Sequence, residues 1–390
     1  MEQAYWWEQV GPRRFYLEVF RALKSGSVIV WFPAHATEDI LVPLDEFAPS
    51  LAGKIYHIDA NEEGTPENLV RKEIPGVGPS ESPFAALGGG RDLVVVRSVR
   101  QQTWPAWRRF MDDYHWYVAG ARLRIADVSR FLVVARAINP EQAPPRVVTI
   151  KHVRYQGYVS LSDTERYCQR LLAGSGQSII ERQVSASVIA HVALWDKDIA
   201  ERLCGRVLSD ILNPIDFLQR LAVARKWRSD QPSGWCSGTE HEVEDENCVS
   251  SAFLVSCEEY AEVKQRIWRA QLKVLFPFIE QQRNIFIDLV RQHLTFVPPQ
   301  TQFAEMEFLA LQHLIRNHLP QGAEDTYSVF LQIASAFGEV RNYLAHRKPA
   351  PEEALHLLFG AVETMNGLVK HGFSALANMS RPRAARVEAG

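Results

Sequence analysis

The first part of the chain alternates short apolar runs with amphipathic stretches. Residues 13–26, RRFYLEVFRALKSG, carry apolar positions at helical spacing, and SVIVWF (27–32), KIYHIDA (54–60), DLVVVRSV (92–99), FLVVARA (131–137) and RVVTIKH (146–152) read as strands. All but KIYHIDA are nearly continuous apolar runs, the pattern of strands buried on both faces of a mostly parallel sheet. Between them lie residues 36–53, the Pro/Gly-rich residues 73–90 and the aromatic residues 103–124. From residue 161 the β pattern stops, and residues 161–174, 177–195 and 197–211 follow as helices.

Residues 225–248 break the periodicity with a basic cluster, a Pro/Gly/Ser segment and an acidic one, and read as loop or linker. Helical patterns resume over 251–276 and 277–294, with Pro277 expected to separate them. Near the end, Phe330, Ile333, Phe337, Val340 and Leu344 form one apolar stripe and Leu355, Leu358, Val362, Met365, Val369 and Phe373 another. The two helices are expected to pair as a hairpin joined by RKPAPEE. The reading is an α/β N-terminal domain with a mostly parallel sheet, followed by an all-α C-terminal region. Its divisions are an α/β domain over 1–160, a helical lid over 161–228, a linker over 229–248, connecting helices over 249–299, a helical domain over 300–378 and a disordered tail over 379–390.

A chain of 390 residues with 43 basic and 46 acidic side chains is long enough for more than one core and is not a globally basic nucleic-acid binder. The N-terminal MEQAYWWEQV has neither the basic nor the apolar region of a secretory signal, and no apolar run is long enough to span a bilayer. A cytoplasmic protein without a membrane partner is expected. Five scattered cysteines fit reduced thiols better than a disulfide framework.

The order of helices and strands over residues 12–228 resembles the P-loop NTPase core of AAA and STAND proteins. A working P-loop needs G-x-x-x-x-G-K-[ST] after the first strand, so that glycine amides, a lysine and a hydroxyl reach phosphate and magnesium. This chain has PAHATEDIL there, with Glu38 and Asp39 placed to repel phosphate. Where the family carries its magnesium-binding acid stand Arg97 and Ser98. The expectation is an NTPase-like shape with no hydrolysis and no cofactor, or an unrelated doubly wound sheet.

Two further clusters carry possible chemistry. Cys236, His241, Cys248 and Cys257 share one segment but lack the C-x-x-C spacing of a zinc knuckle, so no metal is expected. In residues 104–117, Trp107, Arg108, Arg109 and Trp116 interleave aromatic and basic groups in the way that stacks and neutralises single-stranded nucleic acid; at helical spacing the same aromatics also suit a core.

The stretch RNYLAH, residues 341–346, resembles the R-x4-6-H motif of the HEPN superfamily, including the polar residue after the arginine. The same spacing occurs at Arg108 or Arg109 to His115 and at Arg146 to His152, but only RNYLAH has the R-N start and an all-helical setting. The resemblance covers about residues 300–378. It implies a metal-independent ribonuclease, with His346 moving protons, Arg341 neutralising the phosphate and Asn342 orienting His346 or the substrate. It further implies a homodimer or a HEPN-bearing partner, an RNA substrate, and service in a prokaryotic antiviral defence or toxin system with a defence-system partner. On one helix Arg341 and His346 lie roughly 140° apart, so the helix must deform before Pro349 or two chains must share the site. The alternative is a helix end in a non-catalytic adaptor or scaffold subunit, where Arg341 covers the apolar stripe and His346 meets the carbonyl ends.

Overall fold

A computed structural model describes residues 2–36, 43, 53–75, 82–88, 90–124, 127–140, 149–293, 305–318 and 324–371. Thr37 to Asp39, Phe373 and the tail lie outside them, so the expectations for Glu38, Asp39, Phe373 and 379–390 do too. The chain divides into two compact units. The first comprises residues 1–171, 193–204 and 215–259, and the second 172–192, 205–214 and 260–390.

Unit 1 is built on a five-stranded sheet. Its strands are β1 (Ser27–Phe32), β2 (Ile55–Asp59), β3 (Leu93–Val99), β4 (Arg130–Arg136) and β5 (Ile150–Arg154), in the order β2-β3-β4-β1-β5. Every pairing is parallel. β1 is buried throughout and β4 nearly so, whereas the edge strands expose His57 in β2 and Lys151 in β5. All five runs contribute strands; KIYHIDA lies at one edge, and RVVTIKH, expected to be buried on both faces, lies at the other as β5, with Lys151 facing water.

Side chains of β1 alternate between two layers. Ile29 and Trp31 join Val94, Val96, Phe131 and Val133 in a core that also holds Leu69 and Val70 of α3 (Pro66–Glu73), Leu87 of α4 (Pro83–Gly88) and Trp104, Trp107, Phe110 and Met111 of α5 (Trp104–Gly120). On the opposite side, Phe15 of α2 (Val10–Leu23), which follows α1 (Glu2–Trp7), meets Phe32 edge-on at 5.6 Å. Helices therefore cover both faces, as a parallel sheet requires. α6 (Leu161–Leu171) packs on α8 (Lys197–Cys204), and α10 (Ile215–Ala224) on α11 (Ser251–Ser256).

Part of the segment read as linker is ordered structure. β6 (Glu240–Val243) and β7 (Glu246–Val249) form an antiparallel hairpin closed by Glu244 and Asp245 at φ 52° and 67°. Two successive left-handed residues give the turn whose twist suits a hairpin, although Glu-Asp lacks the usual Asn-Gly signature. Trp235 anchors the segment to unit 1: its indole donates to the Tyr155 carbonyl at 3.2 Å and its face lies 4.1 Å from the Arg154 guanidinium.

Unit 2 is helical: α7 (Ile179–Ala193, its last residue assigned to unit 1), α9 (Leu208–Leu212), α12 (Tyr260–His293), α13 (Phe308–Asn317), α14 (Glu324–Ala345) and α15 (Glu352–His371). Pro277 does not divide α12, which runs unbroken through it. The proline is exposed, so water can serve the carbonyl that loses its helical partner, while buried Leu275 and Ile279 hold the helix on both sides. α14 and α15 pack together as the stripes predict. All five residues of the first stripe are buried. In the second, Val369 is 56% exposed and Leu368 takes its place in the core, because the helix meets its neighbours one residue earlier in the turn. Phe308 stacks on Phe337 at 5.1 Å, and Phe286 packs against Phe330 at 5.9 Å.

Candidate functional site

RNYLAH ends α14, and the helix stays regular through it. After Ala345 the chain closes with Lys348 N–H donating to Tyr343 O at 3.0 Å and Arg347 N–H to Leu344 O at 3.2 Å, with Arg347 left-handed at φ 57°. This is a Schellman stop, made here with arginine where glycine is usual. The deformation follows His346 instead of separating it from Arg341. Trp268 Nε1 donates to the same Leu344 O at 2.8 Å, giving that carbonyl of the last turn a second partner. Buried Gln271 then fixes the connection to α15, donating to Ala350 O at 3.0 Å and accepting from Ala350 N–H at 2.7 Å.

Arg341 points toward carboxylates. Its Nη2 donates to Glu307 Oε1 at 2.6 Å, and its Nε lies 3.5 Å from Glu280 Oε1. Arg341 and Asn342 line a groove of about 680 Å³ with Glu307, Leu309, Ser335 and Glu339. His346 is exposed and is not among the groove's walls. One chain therefore groups Arg341 with Asn342 and leaves His346 apart.

The residues on α5 separate by burial. Trp107 is in the sheet core, edge-on to Phe110 at 5.6 Å, and Arg108 is half-buried; burial raises the pKa of Asp112 nearby, and Arg108 opposes that rise only in part. Arg109 and Trp116 are exposed, Trp116 by 71%. A single exposed aromatic stacks on one base and does not make a platform. Of the other R-x4-6-H matches, His115 is hydrogen-bonded to Thr149 and His152 stacks on Trp31 at 5.9 Å.

Among the described residues no group of three or more His, Cys, Asp or Glu side chains is placed to hold a metal ion. His241 faces Cys248 across the hairpin, but its two ring nitrogens lie 2.9 Å from the carbonyls of Glu242 and Tyr155. Two carbonyl acceptors favour a doubly protonated ring, yet burial dominates and draws the imidazole down to about 4. At neutral pH the ring is therefore neutral and donates to one carbonyl at a time.

At the C-terminal end of β1, where a P-loop would lie, the chain turns through Pro33, Ala34 and His35, and Ala34 N–H donates to Cys236 O at 3.1 Å. A cavity of about 230 Å³ opens there, beside Tyr155 at the end of β5, with its far wall formed by the start of α8. Crevices at the carboxyl ends of parallel strands are the usual ligand sites of such sheets. Asp196 caps α8, accepting from Ile199 N–H at 3.2 Å. Arg225 grips that carboxylate through both terminal nitrogens, reaches Asp198 at 3.0 Å and lies over the Trp227 ring at 5.0 Å. Lys197 pairs with Glu201 at 3.3 Å, and Glu201 also accepts from the Tyr167 hydroxyl. His35, edge-on to Trp227, is drawn down to about 4, chiefly by burial and then by Arg225, so it is neutral at pH 7. Sequence reasoning singled out none of the α8 residues, because Asp-Lys-Asp there reads as an ordinary helix start.

No protein-family model and no curated protein matches the chain. Among solved structures, a variant of RuvB from Thermotoga maritima aligns over 65% of this chain and 95% of its own, at 9% identity and a TM-score of 0.31. No described helix is long and apolar enough to cross a membrane.

Proposed function

We propose that this protein is a non-catalytic adaptor: an α/β unit of NTPase-like outline that does not hydrolyse nucleotide, joined to a helical unit that presents surfaces to partner proteins. The observation that carries this reading is the pairing of Arg341 with Glu307 and Glu280. An arginine that neutralises a scissile phosphate needs an open guanidinium face, and carboxylates around it repel the phosphate it would receive. At the end of β1, the chain supplies a neutral imidazole and a wall whose lysine, Lys197, is paired with Glu201 and flanked by Asp196 and Asp198. Exposed Trp116 and Leu309, 71% and 67% accessible, are the kind of side chain that anchors protein contacts.

A second reading keeps the HEPN resemblance: a metal-independent ribonuclease of a defence or toxin system, active as a pair of chains. Favouring it, Arg341 and Asn342 open onto one groove while His346 is exposed at the helix end, so a second copy is required to complete the set. Expression of wild type and the Arg341→Ala, Asn342→Ala and His346→Ala variants in cells, with natural partner and trigger, separates the two. The adaptor reading expects equal growth for all four; toxicity lost in Arg341→Ala and His346→Ala would establish the ribonuclease.

A further inference from the structure

The interface of α6 and α8 in unit 1 brings two cysteine side chains together, and neither reading of the protein uses them. Two hydrogen bonds set the register of these helices. The Thr164 hydroxyl donates to the Leu194 carbonyl ahead of α8, and the Tyr167 hydroxyl donates to Glu201. Trp6 packs edge-on against the Tyr167 ring at 5.2 Å and holds it in place. Cys168 lies one turn beyond Thr164 on α6, and Cys204 lies one turn beyond Glu201 on α8. The helical repeat therefore carries both sulfur atoms to the same seam, where the two thiols meet as hydrogen-bonding neighbours.

Both are free thiols, and they differ in access. Cys168 is fully buried, whereas Cys204, the last residue of α8, is half-buried. Burial, reinforced by the Cys204 thiol beside it, pushes the Cys168 thiol well above its ordinary range, so Cys168 stays protonated and shielded from dissolved oxidants. Cys204 is the sulfur of the pair that such an oxidant reaches first. We propose that Cys168 and Cys204 are a redox pair that closes to a disulfide when the protein meets hydrogen peroxide. The Cys204 sulfur attacks one peroxide oxygen, the O–O bond breaks, and the thiol proton leaves with the second oxygen as water, giving a sulfenic acid. The Cys168 sulfur then attacks the Cys204 sulfur, the S–O bond breaks, and the hydroxyl departs as water with the Cys168 proton. Two thiols and one hydrogen peroxide thus give one disulfide and two waters, with two electrons passing from sulfur to peroxide oxygen. The new bond fastens α6 to the C-terminal end of α8, and a dithiol reductant reopens it.

The test uses the full chain, reduced, freed of reductant and treated with equimolar hydrogen peroxide, then quenched in acid and alkylated under denaturing conditions. Peptide mass spectrometry of a non-reducing digest is expected to show the Cys168 and Cys204 peptides joined within one chain, with both cysteines lost to alkylation. Dithiothreitol should restore both. In Cys204→Ser, Cys168 should remain fully alkylatable after the same treatment. In Cys168→Ala, oxidation should stop at a Cys204 sulfenic acid, trapped by dimedone. Thermal melts of the reduced variants verify their folding, and Cys204→Ser, altered at the more accessible position, carries the test if Cys168→Ala does not fold. The proposal is overturned if Cys168 stays alkylatable in peroxide-treated wild type, or if it is found joined to any cysteine other than Cys204 of the same chain. It is equally overturned if Cys168 is lost as readily in Cys204→Ser as in wild type.

Discussion

Arg341 and Glu307 lie 2.6 Å apart, and this ion pair joins the end of α14 to the residue that precedes α13. The two side chains are 28% and 53% exposed, so solvent screens much of the attraction. A double-mutant cycle with Arg341→Ala and Glu307→Gln is expected to give a coupling of about 0.5–1 kcal/mol in denaturant melts. A coupling near zero would show that the guanidinium is free for another partner.

Gln271 has a larger structural role. It matches both backbone groups of Ala350 in a buried position, so Gln271→Ala leaves a donor and an acceptor unsatisfied. The expected cost is about 3 kcal/mol, measured by chemical denaturation. Gln271→Glu, which can still accept from Ala350 N–H but cannot donate, should also be destabilising.

Arg347→Gly is expected to stabilise. Its left-handed φ of 57° at the Schellman position carries a penalty that glycine lacks, and a gain of about 1 kcal/mol should follow. A loss on this substitution would mean that the arginine side chain makes a compensating contact.

Acidification should unfold unit 1 in a defined window. His241 has its folded pKa drawn down to about 4 from 6.5, so as pH falls below 6.5 the unfolded chain binds a proton that the folded chain refuses. Its contribution is intact above pH 6.5 and declines between there and 4, with a slope approaching about 1.4 kcal/mol per pH unit. His35 acts in the same sense, tempered by its partial exposure. Thermal melts across this range should show His241→Gln with a shallower dependence than wild type; an unchanged dependence would contradict the assignment.

The sheet was legible because its strands are apolar runs, but the edge position of β5 was not, because RVVTIKH reads as buried on both faces until Lys151 is seen facing water. The α14–α15 pair was legible from helical periodicity, and so was the separation of Arg341 from His346, which needs only the helical turn. What the sequence could not carry was long-range choice. Glu280 and Glu307 are distant in sequence from Arg341, and nothing local marks them as its partners. Asp196 and Asp198 look like a helix start until folding brings Arg225 between them. Pro277 and the 240–249 hairpin were misread for one reason: tertiary packing, of Leu275 and Ile279 in one case and Trp235 in the other, overrode the local signal.

The adaptor account is tested most directly by incubating single-stranded RNA with the purified full-length protein and its natural partner and trigger in EDTA, wild type against His346→Ala. It predicts intact RNA in both, because the Arg341 guanidinium is held by Glu307 and Glu280 and His346 stands outside the groove that Arg341 lines. Fragments ending in 2′,3′-cyclic phosphate with wild type, reduced about 10²-fold or more by His346→Ala, would contradict it and establish the ribonuclease instead.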